Sequence, residues 1–226
     1  MRAMILAAGR GERMRLLTDR LPKPLLAVGG KPLIVHHIDK LRAAGVTELV
    51  INHAWLGHCL EQALGDGAAL GVHIRWSPEG DSGLETAGGI HHALPLLGDA
   101  PFLVVNGDIW LDTDYRPFTM QTLAPGCDAH LWLVDNPPQH PHGDFALQDG
   151  RVIDTPGLTF SGVALYRPAL FAKMTPGKAA LRPWFQQWIA AGRVSGTHLQ
   201  ATWQDIGTPA RLQALDEQLR AEGHAL

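Results

Sequence analysis

The amino-acid sequence predicts an α/β fold: one domain over residues 1–226, built on a mostly parallel, mixed sheet flanked by helices. Three observations carry that prediction. Short apolar runs alternate with segments of helical period through the first hundred residues. Three of those runs lead into loops, at Gly9, Ser77 and Asp108, and a parallel sheet gathers such loops into one crevice at its carboxyl edge. The composition is globular, with 46% hydrophobic and 18% charged residues in a chain of 226, long enough for a substantial core.

The first strand is the run Met4-Ile5-Leu6-Ala7-Ala8, apolar throughout as a doubly buried strand requires. Residues 31–41 carry apolar side chains at helical spacing, with Pro32 suited to the first turn and Gly45 to the stop. Residues 48–52 read as a second strand and 55–64 as a helix ending near Gly65. The alternating run 72–76 reads as a third strand. A β-α-β-α-β order needs crossover connections and therefore parallel strands. Residues 77–83 are a loop by composition, 84–89 a glycine-rich turn, and a helix follows to Leu97. Residues 102–105 form a fourth strand that ends in Asn106-Gly107-Asp108. Beyond it, 129–134, 145–147, 151–153 and 160–166 read as strands, the last three separated by turns at Asp149-Gly150 and Pro156-Gly157. Residues 137–143 are a rigid proline-bearing loop. Helices over 168–174 and 181–191 precede a last strand at 199–203. Thr208-Pro209 supplies a cap and a first-turn proline for a final helix to about Glu222.

The most informative stretch is residues 3–26, AMILAAGRGERMRLLTDRLPKPLL. Gly9-Arg10-Gly11 has no Cβ at its glycines to obstruct positive φ or the approach of an anion. Arg10, Arg13 and Arg15 follow, and Lys23 stands between two prolines that favour an extended segment. Bare amides with fixed cations at each end suit a polyphosphate. A tight strand-to-helix turn with solvated arginines accounts for the glycines taken alone. A Walker A loop needs Gly-Lys-Ser/Thr, whereas Gly11 precedes Glu12-Arg13. A dinucleotide fingerprint needs glycine where Met14 stands.

Leu6-Ala7-Ala8-Gly9, Gly11, Arg13, Thr18 and Pro22-Lys23-Pro24-Leu25 resemble, at fixed spacing, the signature loop of the sugar-phosphate nucleotidyltransferases. The resemblance implies a single Rossmann-like nucleotidyltransferase domain that joins a nucleoside triphosphate to a sugar 1-phosphate. Over most of the chain, Asn52 to Gly57, Ser77-Pro78-Glu79, Leu84-Glu85-Thr86, Asn106-Gly107-Asp108, Asp135 to Pro138 and Thr159 to Gly162 look like the N-acetylmuramate 1-phosphate uridylyltransferases. UTP and N-acetylmuramate 1-phosphate are then the implied substrates.

The same resemblance implies roles for residues. Leu6, Ala8, Gly9, Gly11, Arg13, Lys23, Glu79, Thr86 and Gly88 become candidates for the nucleotide, with Glu79 and Thr86 at the base edge. Asn106, Asp144, Ser161 and Gly162 become candidates for the sugar phosphate. Arg13, Lys23 and Asp108 become catalytic candidates. Asp108, and Asp205 in Trp203-Gln204-Asp205-Ile206-Gly207-Thr208, would hold Mg²⁺, which takes oxygen ligands alongside phosphate and water. Outside such a pair, an Asp at a strand end merely caps a turn. Many relatives have a Val-Glu-Lys-Pro lysine on the sugar phosphate. Residues 151–157 read RVIDTPG, so that anchor is unassigned. Residues 128–166 contain no lysine, which leaves amides, His140, His142 or solvent for a lactyl carboxylate, with Asp144 and Ser161 as polar selectors.

Composition narrows the classes further. A net charge of −3 is not that of a general nucleic-acid binder. No run approaches the roughly 20 apolar residues of a membrane helix, and the apolar start is too short for a signal sequence. Cys59 and Cys127 lack metal-ligand spacing and read as two buried free thiols. Twelve histidines, including the pairs His36-His37 and His91-His92, read as scattered and partly exposed. The expectation is a soluble cytoplasmic enzyme with no obligate protein partner.

Overall fold

The computed structural model describes residues 1–223. The chain forms β1 (Ala3–Leu6), β2 (Ala27–Val28), β3 (Lys31–Pro32), α1 (Leu33–Ala43), β4 (Glu48–His53), α2 (Gly57–Leu64), β5 (His73–Pro78), α3 (Glu85–Leu97), β6 (Phe102–Asn106) and β7 (Ile109–Asp112). It continues through α4 (Arg116–Met120), β8 (Ala129–Val134), β9 (Phe145–Gln148), β10 (Arg151–Tyr166), α5 (Arg182–Ala190), β11 (Val194–His198), β12 (Thr202–Asp205) and α6 (Pro209–Ala221). The main sheet runs β11-β8-β10-β6-β1-β4-β5, with β9 paired to β10. Strands β6, β1, β4 and β5 are parallel, as the alternation with helices requires. Strand β10 runs antiparallel to β6, β8 and β9 and makes the sheet mixed.

Two apolar layers sandwich this sheet. Ile5, Ile51, Val105 and Val163 face one layer with Ile34 and Ile38 of α1. Met4, Val50, Val104 and Ala164 face the other with Ile90 of α3 and Phe185 and Trp188 of α5. Side chains of successive residues point to opposite faces, so a strand apolar throughout is one covered on both sides. Among the described residues no helix is long and apolar enough to cross a membrane.

Several boundaries depart from the sequence expectation. Lys23 starts a short 3-10 turn, Lys23–Leu25, instead of an extended segment. Pro32 caps α1 from outside, and α2 begins at Gly57 rather than Trp55. Ser77 and Pro78 finish β5, where they pair with Asn52 and His53, instead of opening a loop. Ser77 is buried and takes no part in the crevice at the strand ends. The glycines at 88 and 89 lie inside α3, not in a turn before it. Residues 151–166 form one strand across Pro156-Gly157. The ladder to β9 shifts register between Ile153 and Leu158, so the proline's missing N–H costs no bond there.

Strand β11 escapes notice in the sequence because Val-Ser-Gly-Thr-His has little apolar pattern, yet it pairs in parallel with β8. The last strand is Thr202–Asp205 rather than 199–203, and near 168–174 only the turn Pro168–Leu170 is helical. Cys127 is buried but Cys59 only partly so. His37, His53 and His130 are buried rather than scattered over the surface.

Candidate active site

The crevice lies at the carboxyl edge of the parallel strands, with a volume of about 840 Å³. It is lined by the loop from Leu6 to Arg13, by Lys23 and Pro24, by Trp55 after β4, by Ser82, Gly83, Glu85 and Thr86 around the start of α3, and by Asn106 at the end of β6 and Asp108 beyond it.

The loop after β1 is held from below. The Ala7 amide donates to Asn52 Oδ1 at 2.9 Å, and Asn52 Nδ2 donates to Glu79 Oε1 at 2.6 Å. The other Glu79 oxygen accepts the Leu84 amide at 2.6 Å. One buried relay thus ties β1, β4, β5 and the entry to α3. A Cβ on Gly89 would stand 2.4 Å from Glu79 Oε1, so the relay needs glycine there. Both Glu79 oxygens are committed to protein donors, and Glu79 does not line the crevice. Its position supports the walls that Ala8 and Thr86 contribute.

Gly11 has φ +67°, and a Cβ there would press on Thr18 and Lys23. Thr18 Oγ1 donates to the Gly11 carbonyl at 3.0 Å and closes the loop upon itself. Gly9 has ordinary φ, and a Cβ at Gly9 would meet nothing within 4 Å. Arg10 stacks on the Trp55 ring, 4.2 Å from its centroid, and the Trp55 indole donates to the Thr18 carbonyl.

Lys23 is 7% exposed at its side chain, and its ammonium lies 2.9 Å from Asp108 Oδ2. The carboxylate is 44% exposed, so the pair sits at the floor of the crevice with the acid toward the opening. Asp108 is placed by the two-residue turn that joins β6 of the main sheet to β7 of a separate two-stranded ladder. Gly107 permits it, because a Cβ there would meet the Leu6 carbonyl at 2.7 Å. Strand β7 pairs antiparallel with β12, Ile109 opposite Asp205, and the Ile206 amide donates to the Asp108 carbonyl at 3.0 Å. The pairing sets the backbones of Asp108 and Asp205, nearly a hundred residues apart, side by side; Asp108 lines the crevice, and Asp205 lines a neighbouring pocket with Gln204 and Arg211. Arg211 of α6 holds Asp205 Oδ2 at 2.7 Å, and Arg13 stands 4.0 Å from the same oxygen.

His37 buttresses the start of β7. Its Nε2 donates to the Ile109 carbonyl at 2.9 Å, and its Nδ1 accepts from the Tyr115 hydroxyl at 2.9 Å. Burial lowers its pKa to about 4, against the opposing pull of the Ile109 carbonyl, so the ring stays neutral. Burial raises the Tyr115 phenol as well. Sequence reading passed over His37; its place on the apolar face of α1, beside Ile34 and Ile38, was the available signal.

The sugar candidates divide. Asn106 lines both the crevice and an adjoining pocket of about 470 Å³, and Asp144 lines that pocket. Asp144 is already engaged, accepting the Phe160 amide at 2.8 Å and facing His140 at 3.1 Å. Ser161 is fully buried, its hydroxyl accepting the Val163 amide and its carbonyl accepting the Trp203 indole. Gly162 has φ +82°, and a Cβ there would strike the Asn106 side chain. These two residues shape the bulge of β10 that leaves room for Asn106, rather than lining a cavity.

Gly88 also acts from behind. A Cβ there would lie 2.3 Å from the Gly177 carbonyl. The close approach lets the Ala87 and Gly88 amides donate to Ala179 O, while the Ala179 amide donates to Leu84 O. That clasp carries Lys178 to the crevice wall, 3.8 Å from Glu85. Sequence reading missed Lys178 because it searched residues 151–157 for a lysine.

The crevice therefore combines glycine-loop amides, the Lys23–Asp108 pair and Arg13, and it adjoins a second, aromatic-walled pocket. A nucleotidyl transferase family model matches residues 2–150, the stretch from the glycine loop to β9. The chain belongs to the nucleotidyl transferase family. It is 54% identical to an N-acetylmuramate alpha-1-phosphate uridylyltransferase of Neisseria meningitidis, over 94% of this chain and 96% of that one. A protein of the same description from Caulobacter vibrioides is 35% identical over 96% of each chain. The inositol-1-phosphate CTP transferase from T. maritima has the same fold, with a TM-score of 0.80 at 19% identity over 98% and 95% of the two chains.

Proposed function

We propose that this protein transfers a uridylyl group from UTP to N-acetylmuramate α-1-phosphate, giving UDP-N-acetylmuramate and pyrophosphate in peptidoglycan recycling. The chemistry rests above all on the Lys23–Asp108 pair at the floor of a crevice walled by glycine-loop amides. The substrate pair rests on similarity to the uridylyltransferase of Neisseria meningitidis along nearly the whole chain.

The sugar phosphate is anionic at neutral pH, so an oxygen of it attacks the α-phosphorus without a general base. The new P–O bond forms as the bond to the bridging oxygen of the β-phosphate breaks. Catalysis then consists of alignment and charge neutralisation. In this reading the Gly9 and Gly11 amides and Arg13 hold the departing pyrophosphate. Lys23 faces the α-phosphoryl oxygens, where charge builds in the transition state. Lys178 takes the sugar phosphate in place of the lysine absent from residues 151–157.

Asp108 and Asp205 offer the hard oxygen donors that Mg²⁺ takes, and Mg²⁺ held there would neutralise phosphate charge. Among the described residues no third His, Cys, Asp or Glu joins them, so the rest of a coordination shell would fall to phosphate and water. A panel of nucleoside triphosphates crossed with sugar 1-phosphates, read by pyrophosphate release, tests the proposal. UTP with N-acetylmuramate 1-phosphate is expected to be the fastest pair, and a faster guanylyl or thymidylyl pair would replace the substrate assignment.

A further inference from the structure

The pocket beside the crevice has a chemistry of its own. It shares Glu85, Thr86 and Asn106 with the crevice and so opens from it on the acceptor side. Its wall is aromatic, from Phe145, Phe160 and Phe185, with Leu181 beside them. Arg182 is the cation of this lining.

The fold presents Arg182 there deliberately. The residue opens α5, and its guanidinium lies over Phe145, 4.6 Å from the ring centroid. Its Nη2 donates to Asp154 at 2.5 Å, whereas its Nη1 reaches the Asp144 carbonyl only at 3.5 Å, a weak bond. Phe145 itself is fixed by edge contact with Phe185. The fork is thus oriented by stacking and one strong acceptor, and it keeps N–H donors for a further carboxylate. About half of the side chain remains exposed.

An aromatic wall ending in an oriented guanidinium matches a small substituent with an apolar part and a carboxylate. A 3-O-lactyl group has a methyl and a carboxylate on one carbon. We infer that Arg182 is the specificity-determining residue for the acceptor, binding the lactyl carboxylate while the partly exposed Phe160 packs on its methyl. This inference rests on the substrate reading above. It replaces His140 and His142 in that role, since His140 is turned to Asp144. Arg182 lies 16 residues beyond the end of the stretch searched for a cation in the sequence.

The test compares N-acetylmuramate 1-phosphate with N-acetylglucosamine 1-phosphate, at saturating UTP, in wild type, Arg182→Ala and Arg182→Met. The methionine keeps an apolar stem over Phe145 and guards against a packing artefact. Both variants are expected to raise KM for the muramyl substrate about 10- to 100-fold, as loss of a charged hydrogen bond does. KM for UTP and kcat/KM for the glucosamine substrate should stay within about twofold. Variants that keep the wild-type preference overturn the Arg182 assignment alone. Equal losses on both sugars make Arg182 structural and also overturn it. A wild-type protein that ignores the muramyl compound overturns the substrate reading, and the assignment with it.

Discussion

The two halves of the site are built on opposite plans. On the proposed nucleotide side, the groups come from one contiguous stretch, Leu6 to Lys23, seated on parallel strands and braced by the Asn52–Glu79 relay. On the proposed acceptor side, Asp144, Phe160, Lys178 and Arg182 arrive from separate segments, and a bulged antiparallel strand makes the space. The first plan fixes amides and the cations Arg13 and Lys23 within one stretch of chain. The second gathers side chains from distant segments. Substitutions outside the glycine loop should therefore alter acceptor choice more readily than nucleotide handling.

The sharpest break in that comparison is at the seam between β7 and β12, beside Asp108 and Asp205. Asp108→Asn and Asp205→Asn should each cost on the order of 10²–10³ in turnover, because both remove charge aimed at the transferring group. Circular dichroism should show the fold retained, and either variant at wild-type rate under limiting Mg²⁺ would remove that residue from metal binding.

Within the nucleotide half, Lys23 and Arg13 should separate. Lys23→Ala should lower kcat, since a buried cation facing developing charge acts in the transition state. Arg13→Ala, more than two-thirds exposed, should chiefly raise KM for UTP. A Lys23 variant changed in KM alone would refute its role.

Gly88→Ala probes whether the halves are joined at the 177–179 clasp. The methyl must displace backbone, at a cost of about 1–3 kcal/mol by denaturant titration. KM for the sugar phosphate should rise more than KM for UTP, because Lys178 moves with the clasp. Equal changes in both would deny the link.

The smallest effect concerns pH. His37 and His130 are held neutral by burial, each lowered to about 4. The unfolded chain binds protons near pH 6.5 while the folded one does not, so stability should fall from about pH 6.5 toward pH 4. The urea midpoint across that window should fall less steeply in His37→Gln. An unchanged slope would take His37 out of the linkage.

The parallel strands, the glycine loop and the Asp108 turn were legible because each is a local pattern of apolar run and glycine. Strands β7 and β11 were not, since their pairing is decided by partners far away in the chain, and β12 was legible only with shifted bounds. Gly88, Ser161 and Glu79 were read as ligand contacts because their motifs are genuine. In the structure they stand in close packing and buried hydrogen bonds behind the crevice, an arrangement that no spacing rule distinguishes from a place in its lining. Lys178 and Arg182 stand in unremarkable sequence, and only the clasp and the start of α5 carry them to the site.

The Asn52–Glu79 relay has a consequence for how the molecule opens. The Ala7 and Leu84 amides, 77 positions apart, end on the same buried pair. Neither can be released to solvent while the carboxylate and amide between them stay in place. Their hydrogen exchange should therefore report one cooperative event, with equal opening free energies and equal denaturant dependence. The glycine loop and the mouth of α3 would then loosen together or not at all, and the crevice would behave as a single unit well before the sheet beneath it melts.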